Sequence, residues 1–153
     1  VIGDNNMQLI VRKKYLDELI ELYGTPDIKV ITGIRRSGKS VLLQEFVTYL
    51  QSLQEQVNIV MINLQELEFD QLLEYHELHK YILNQYEEGM PNVLLIDEVQ
   101  LCPQFELAIN SIYVKKNLRY LYHWFKCIFT KFGSSNTFYW KNNGNTGISN
   151  FLL

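Results

Sequence analysis

Residues 28–40 read Ile28-Lys29-Val30-Ile31-Thr32-Gly33-Ile34-Arg35-Arg36-Ser37-Gly38-Lys39-Ser40. A short β-branched run enters, and Gly33 to Ser40 then matches G-x-x-x-x-G-K-[ST] at every fixed position. A phosphate-binding loop needs this spacing for concrete reasons. Gly33 and Gly38 let the backbone wrap closely and turn its N–H groups inward as an anion nest. Ile34, Arg35, Arg36 and Ser37 form the span between them. Lys39 reaches toward β- and γ-phosphates, and the Ser40 hydroxyl is a ligand for Mg²⁺. A helix leaving through Val41 points its positive N-terminal end at the same phosphates. The stretch implies bound ATP or ADP with Mg²⁺. Arg35 and Arg36 admit two uses: contact with phosphate or a partner, or plain solvation of the loop.

Farther along, Val93-Leu94-Leu95-Ile96-Asp97-Glu98 is the natural counterpart. Four apolar residues suited to a buried strand end in two acids. Both carboxylates then lie at the C-terminal edge of the sheet, where open α/β sheets bind ligands. Asp97 is expected to hold Mg²⁺, directly or through water. Glu98 is expected to polarise an attacking water as a general base. Lys39 and Glu98 are therefore the candidate catalytic residues, and Ser40 and Asp97 the candidate metal ligands. Alone, an apolar strand ending in Asp-Glu is an ordinary solvated strand end. After a phosphate loop, with a strand and a helix between, it reads as the other half of one site.

Outward from these stretches the chain alternates between two periodicities. Residues 1–8 read as an irregular lead-in. From Arg12 to Tyr23 apolar residues recur at helical spacing, and Gly24 and Pro26 end that helix. A helix is expected from about Gly38 to Gln51, a strand from Val57 to Leu64 and a long helix from Leu72 to Glu88. A third buried strand spans Val93 to Ile96, and a helix runs from Phe105 to Val114. Strands alternating with helices predict an α/β fold, a three-layer sandwich whose mainly parallel sheet is covered on both faces.

Hydrophobic residues at 47% and charged residues at 20% describe a globular domain and exclude a disordered chain. No apolar run reaches the ~18 residues of a membrane span, and no signal peptide is visible. Two cysteines, Cys102 and Cys127, lack metal-ligand spacing and fit a reducing cytoplasm. The net charge of −3 excludes a strongly basic nucleic-acid binder on bulk charge. That average hides an asymmetry. All 17 acidic residues lie between Asp4 and Glu106 with eight of the 14 basic ones, so this stretch carries −9 and the rest +6. Both tryptophans, Trp124 and Trp140, fall in the basic part.

Together the two motifs resemble the AAA+ branch of the P-loop ATPases. More closely, the chain is similar to a prokaryotic ATPase family marked by a strand running into T-G-I-R-R-S-G-K-S/T, here Thr32 to Ser40. The resemblance extends through Tyr15-Leu16-Asp17, Ile62-Asn63-Leu64 with Glu68-Phe69, and Leu95 to Gln100, and covers roughly residues 9 to 114. It implies an ATPase domain in which a fourth strand ends in a T-G-S-[NS] sensor motif. A helical lid and a C-terminal nuclease-like domain follow in that family, and the complete protein would form a homo-oligomer. No sensor strand is visible in this sequence, and it stops before a lid. The fold is therefore expected to be an incomplete AAA+-like domain over residues 9–116.

Three readings compete. The first is an ATP-binding, Mg²⁺-dependent ATPase in its complete form, with little or no turnover by these residues alone. The second is a nucleotide-binding fragment without hydrolysis. The third is a nucleic-acid-binding module using the basic aromatic tail. Against the third stands an out-of-frame reading of residues 117–153. Read from the second base of each codon, Tyr122 onward permits I-T-G-S-N-A, then F-L-L-S-S-D-L-A-T-L-F-T-G-R. Trp124 before Phe125 and Trp140 before Lys141 each force a glycine. On this reading the tail is non-native, its basic character reports codon chemistry, and it should pack poorly. Smaller features carry smaller expectations. Gln100 could sense a γ-phosphate, a surface role being simpler; His76 and His79 read as a solvated helix face, and Cys102 as a loop residue.

Overall fold

No Gly or Pro interrupts the chain from Asp4 to Tyr23, and this run forms α1 (Gly3–Tyr23). The expected lead-in is thus helical from Gly3, because nothing in it breaks a helix. The computed structural model describes residues 3–23, 28–33, 36–115, 125–132 and 148–152. After α1 come β1 (Ile28–Gly33), α2 (Lys39–Ser52) and β2 (Asn58–Asn63). A 3-10 segment (Leu67–Leu73), α3 (Tyr75–Gln85) and β3 (Asn92–Asp97) follow, then a 3-10 turn (Val99–Leu101), α4 (Phe105–Lys115), β4 (Phe125–Phe132) and β5 (Ile148–Leu152).

The helix expected from Leu72 to Glu88 is shorter and starts later. Glu74 has extended backbone, φ −100° and ψ 125°, and its carboxylate accepts from the N–H groups of His76 and Glu77. A side chain that caps two orphan donors begins a new helix instead of continuing an old one. Its bond to the His76 ring, 2.8 Å from Nδ1 to Oε1, is the first cause holding the Glu74 carboxyl below its usual range.

The strands form one sheet in the order β2-β3-β4-β1-β5. Every pairing is parallel. Two of the strands, β4 and β5, follow α4, where the sequence showed no sensor strand. Phe125-Lys126-Cys127-Ile128-Phe129-Thr130-Lys131-Phe132 is rich in aromatic and β-branched residues that suit a pleated surface. Its Ile128 is fully buried.

Alternation along the strands sorts the core into two layers. Val30, Leu94 and Ile96 pack with Leu78 and Ile82 of α3 and with Phe105, Ile109 and Ile112 of α4. Ile31, Val93 and Leu95 pack with Leu19 of α1 and with Leu42, Leu43, Phe46 and Leu50 of α2. All six residues of β3 are buried, as a strand covered on both faces requires. Cys102 is the loop residue expected, between the 3-10 turn and α4, and its side chain is fully buried in the first layer. Burial first, then Glu74 and Glu106, pushes its thiol up to about 11.

Where β3 starts, Asn92 ties the sheet to the turn before it. Its amide donates to the carbonyls of Glu87 and Met90, both at 2.8 Å, while its oxygen accepts from Glu87 N–H and from the Asn58 amide. We predict that Asn92→Ala lowers unfolding free energy in urea by about 2–4 kcal/mol, since several buried groups lose partners at once. Ahead of α2, Gly38 sits at φ 91° and ψ 16°, with nothing within 4 Å of where a Cβ would stand. Gly38→Ala should therefore cost about 1–2 kcal/mol through backbone strain alone. Gly38→Asn should cost less in the same titration, because asparagine tolerates the left-handed region better.

Candidate functional site

Parallel pairing brings the ends of β1 and β3 to one edge. Ile96 stands opposite Phe129 of β4, and Phe129 opposite Val30 of β1. Asp97 therefore lies level with Ile31, two strands away, about 10 Å across the sheet. Gly33, the last residue of β1, projects beyond that level. The phosphate-loop motif leaves β1 there, at the same edge as the two acids.

Ile34 and Arg35 lie outside the described residues. The rest of the loop is a tight turn. Arg36, with φ 67°, is exposed, and Gly38 follows in the left-handed region. Two residues of positive φ so close together suit the turn that an anion nest requires. Ser37 is half-buried, and its Oγ has no hydrogen-bond partner among the described residues. α2 opens directly on Lys39, and the Leu42 N–H donates to the Gly38 carbonyl at 2.9 Å. Ser40 and Val41 stand on the exposed side of this first turn, Val41 at 45% exposure.

Lys39 is only 4% exposed and Asp97 only 2%. Charged side chains are seldom this buried unless their surroundings compensate them. β3 thus delivers Asp97 into the protein, while Glu98, one residue on, is half-buried with φ 55° and ψ 45°. A non-glycine residue held in the left-handed region is strained, and such strain concentrates at functional sites.

The structure adds residues to this edge that the motifs did not name. Asn63 ends β2 directly opposite Asp97, and the Leu64 N–H donates to the Asp97 carbonyl at 3.2 Å. The Asn63 amide donates to Glu66 Oε1 at 2.8 Å, and its oxygen accepts from the Gln65 N–H. Gln100, for which a surface role was the simpler expectation, is half-buried, and its Nε2 donates to Glu98 Oε2 at 2.5 Å. Asn63 carried a readable signal, a polar residue closing an apolar strand. Gln100 was weighed as a γ-phosphate sensor, but its contact with Glu98 carried no signal, since only the turn after β3 brings it back over that residue. His76 is exposed and paired with Glu74. Among the described residues no group of three or more His, Cys, Asp or Glu could hold a metal by itself. Nor is any described helix long and apolar enough to cross a membrane.

Known proteins agree with this architecture. An uncharacterized protein of Haemophilus influenzae is 34% identical over 113 residues, which is 71% of this chain and 28% of that relative. The chain thus spans little more than a quarter of that curated relative. The structure of C. elegans PCH-2 superposes with a TM-score of 0.55 at 17% identity, over 97% of this chain and 44% of that one. Drosophila ORC bound to DNA gives a TM-score of 0.53 at 17% identity, over 92% and 41%. At such identities the likeness concerns the fold alone, an α/β P-loop NTPase of the AAA+ kind with a small, incomplete sheet. The AAA domain family matches residues 25–142, from the start of β1 past the end of β4, and the chain belongs to that family.

Proposed function

We propose that this chain binds ATP and ADP with Mg²⁺ at the shared edge of β1 and β3, and that the complete protein hydrolyses ATP. The observation that carries the reading is the burial of Lys39 and Asp97 at that edge, beside the left-handed turn at Gly38. The turn and the start of α2 offer N–H donors and a positive helix end to the phosphates. Lys39 places its ammonium against the β- and γ-phosphates, where a buried charge-assisted contact is strong. Gly33, Ile34, Arg35, Arg36, Ser37, Ser40 and Val41 complete the proposed nucleotide contacts.

The donor set suits magnesium. Mg²⁺ is held by few protein oxygens, keeps several waters and shares the phosphates of its nucleotide. Ser40 and Asp97 are the residues that would hold it. When bound, the ion neutralises charge on the β- and γ-phosphates. Glu98 would accept a proton from the attacking water as its oxygen bonds to the γ-phosphorus and the bridging P–O bond breaks, releasing ADP and phosphate. A carboxylate immediately after the metal aspartate favours water as acceptor over a bound alcohol, which sets an ATPase above a kinase. The finer likeness to the T-G-I-R-R-S-G-K-S/T family supports a prokaryotic, cytoplasmic protein that assembles as a homo-oligomer in complete form.

The out-of-frame origin of residues 117–153 is likewise our proposal. It is supported by the absence of acidic residues after Glu106 and by the two forced glycines. The alternative reading is favoured by β4 and β5, which both come from this stretch and pair in parallel with β1. The coding DNA decides between them. A one-base shift from codon 117 should yield a T-G-S-N segment with no early stop, and an early stop or its absence would refute the proposal.

For the site, Lys39→Ala should weaken ATP binding by at least about a hundredfold in calorimetry, since the phosphate charge loses its buried partner. Undiminished affinity would sink the assignment. Asp97→Asn should reduce the Mg²⁺-dependent part of binding. Glu98→Gln should leave binding intact while removing hydrolysis by the complete protein, because an amide keeps the shape but cannot take the proton.

A further inference from the structure

We propose that Gln100 is a positioning residue for Glu98, fixing the carboxylate that acts on water; the inference rests on that role of Glu98. Three observations meet here. The Glu98 backbone is held in a strained left-handed conformation, φ 55° and ψ 45°. Strain of this kind persists only where the surroundings over-determine it. The 3-10 turn that follows is anchored by the fully buried Val99 and closed by the Leu101 N–H donating to the Glu98 carbonyl at 3.0 Å. This turn carries Gln100 back over Glu98, where Nε2 donates to Oε2 at 2.5 Å.

The other end of the same amide is informative. Gln100 Oε1 is buried and meets no hydrogen-bond donor among the described residues. A glutamine serving solubility would keep its carbonyl oxygen in bulk water, since an unsatisfied buried acceptor is destabilising. Gln100 instead directs its donor at one carboxylate oxygen of Glu98. Glutamine suits this task. It donates without charge, so it orients the carboxylate without neutralising it as lysine or arginine would. Chain length also matters, because Gln100 lies only two residues beyond Glu98 and must fold back to reach it.

The test compares Gln100→Met, which keeps length and shape but removes both polar groups, with Glu98→Gln and the double variant. Single-turnover hydrolysis of γ-labelled ATP is followed with protein in excess, and Mg²⁺-ATP affinity is measured in parallel. Gln100→Met should slow hydrolysis about tenfold or more at unchanged affinity. In the Glu98→Gln background the same substitution should have no further effect, a coupling that a merely structural role would not produce. Unchanged hydrolysis in Gln100→Met, or an equal loss in both backgrounds, overturns the inference. Wild-type hydrolysis by Glu98→Gln would instead overturn the role of Glu98 itself. Should the wild-type rate lie below detection, the side-chain amide resonances of Gln100 decide. They should move in Glu98→Gln, and resonances at free-amide positions that ignore this substitution would refute the contact.

Discussion

An ammonium and a carboxylate both lie in the interior at one end of this sheet, and each is costly there. Taking a charge out of water carries a penalty of several kcal/mol even after the protein relaxes, which the groups around it must offset. Lys39 and Asp97 are nonetheless as buried as the aliphatic core. A fold concerned with stability alone would place apolar residues at both positions. The surrounding architecture makes sense as what holds these two charges in register. Parallel strands end at one edge, a left-handed turn admits only glycine comfortably, and a helix starts on the lysine itself.

The same constraint explains the layering. β1 and β3 must be rigid to present their last residues within a fraction of an ångström. Both are covered on two faces, β3 at every residue. The opposite end of β3 is fixed by the Asn92 network, so the strand is clamped at its start by hydrogen bonds and along its length by packing. The proposed site lies at the edge where Arg36, Gly38 and Glu98 all take positive φ.

How much of this was legible in the sequence follows from where the information resides. That the phosphate-loop motif and the Asp97-Glu98 pair meet at one sheet edge was readable, because each closes an apolar strand of a parallel sheet. The two-layer packing was readable from alternating and helical periodicity. The break at Glu74 was not, because a glutamate inside a helical pattern ordinarily continues it, and only its geometry shows the carboxylate capping α3. β4 was missed because its charge context argued against a native strand, although Ile128 is buried between β1 and β3. The contact of Gln100 with Glu98 could not be foreseen. The partners are two residues apart, and the strained backbone at Glu98 that brings them together leaves no trace in composition or period.

The most direct measurement is a map of backbone amide shifts on adding Mg²⁺-ATP to the ¹⁵N-labelled chain. The account predicts the largest changes at residues 36–42 and 97–100, where the loop, the start of α2 and the end of β3 share one edge. Changes concentrated at the opposite edge, around Asn58 and Met90, or no changes at millimolar nucleotide, would contradict it.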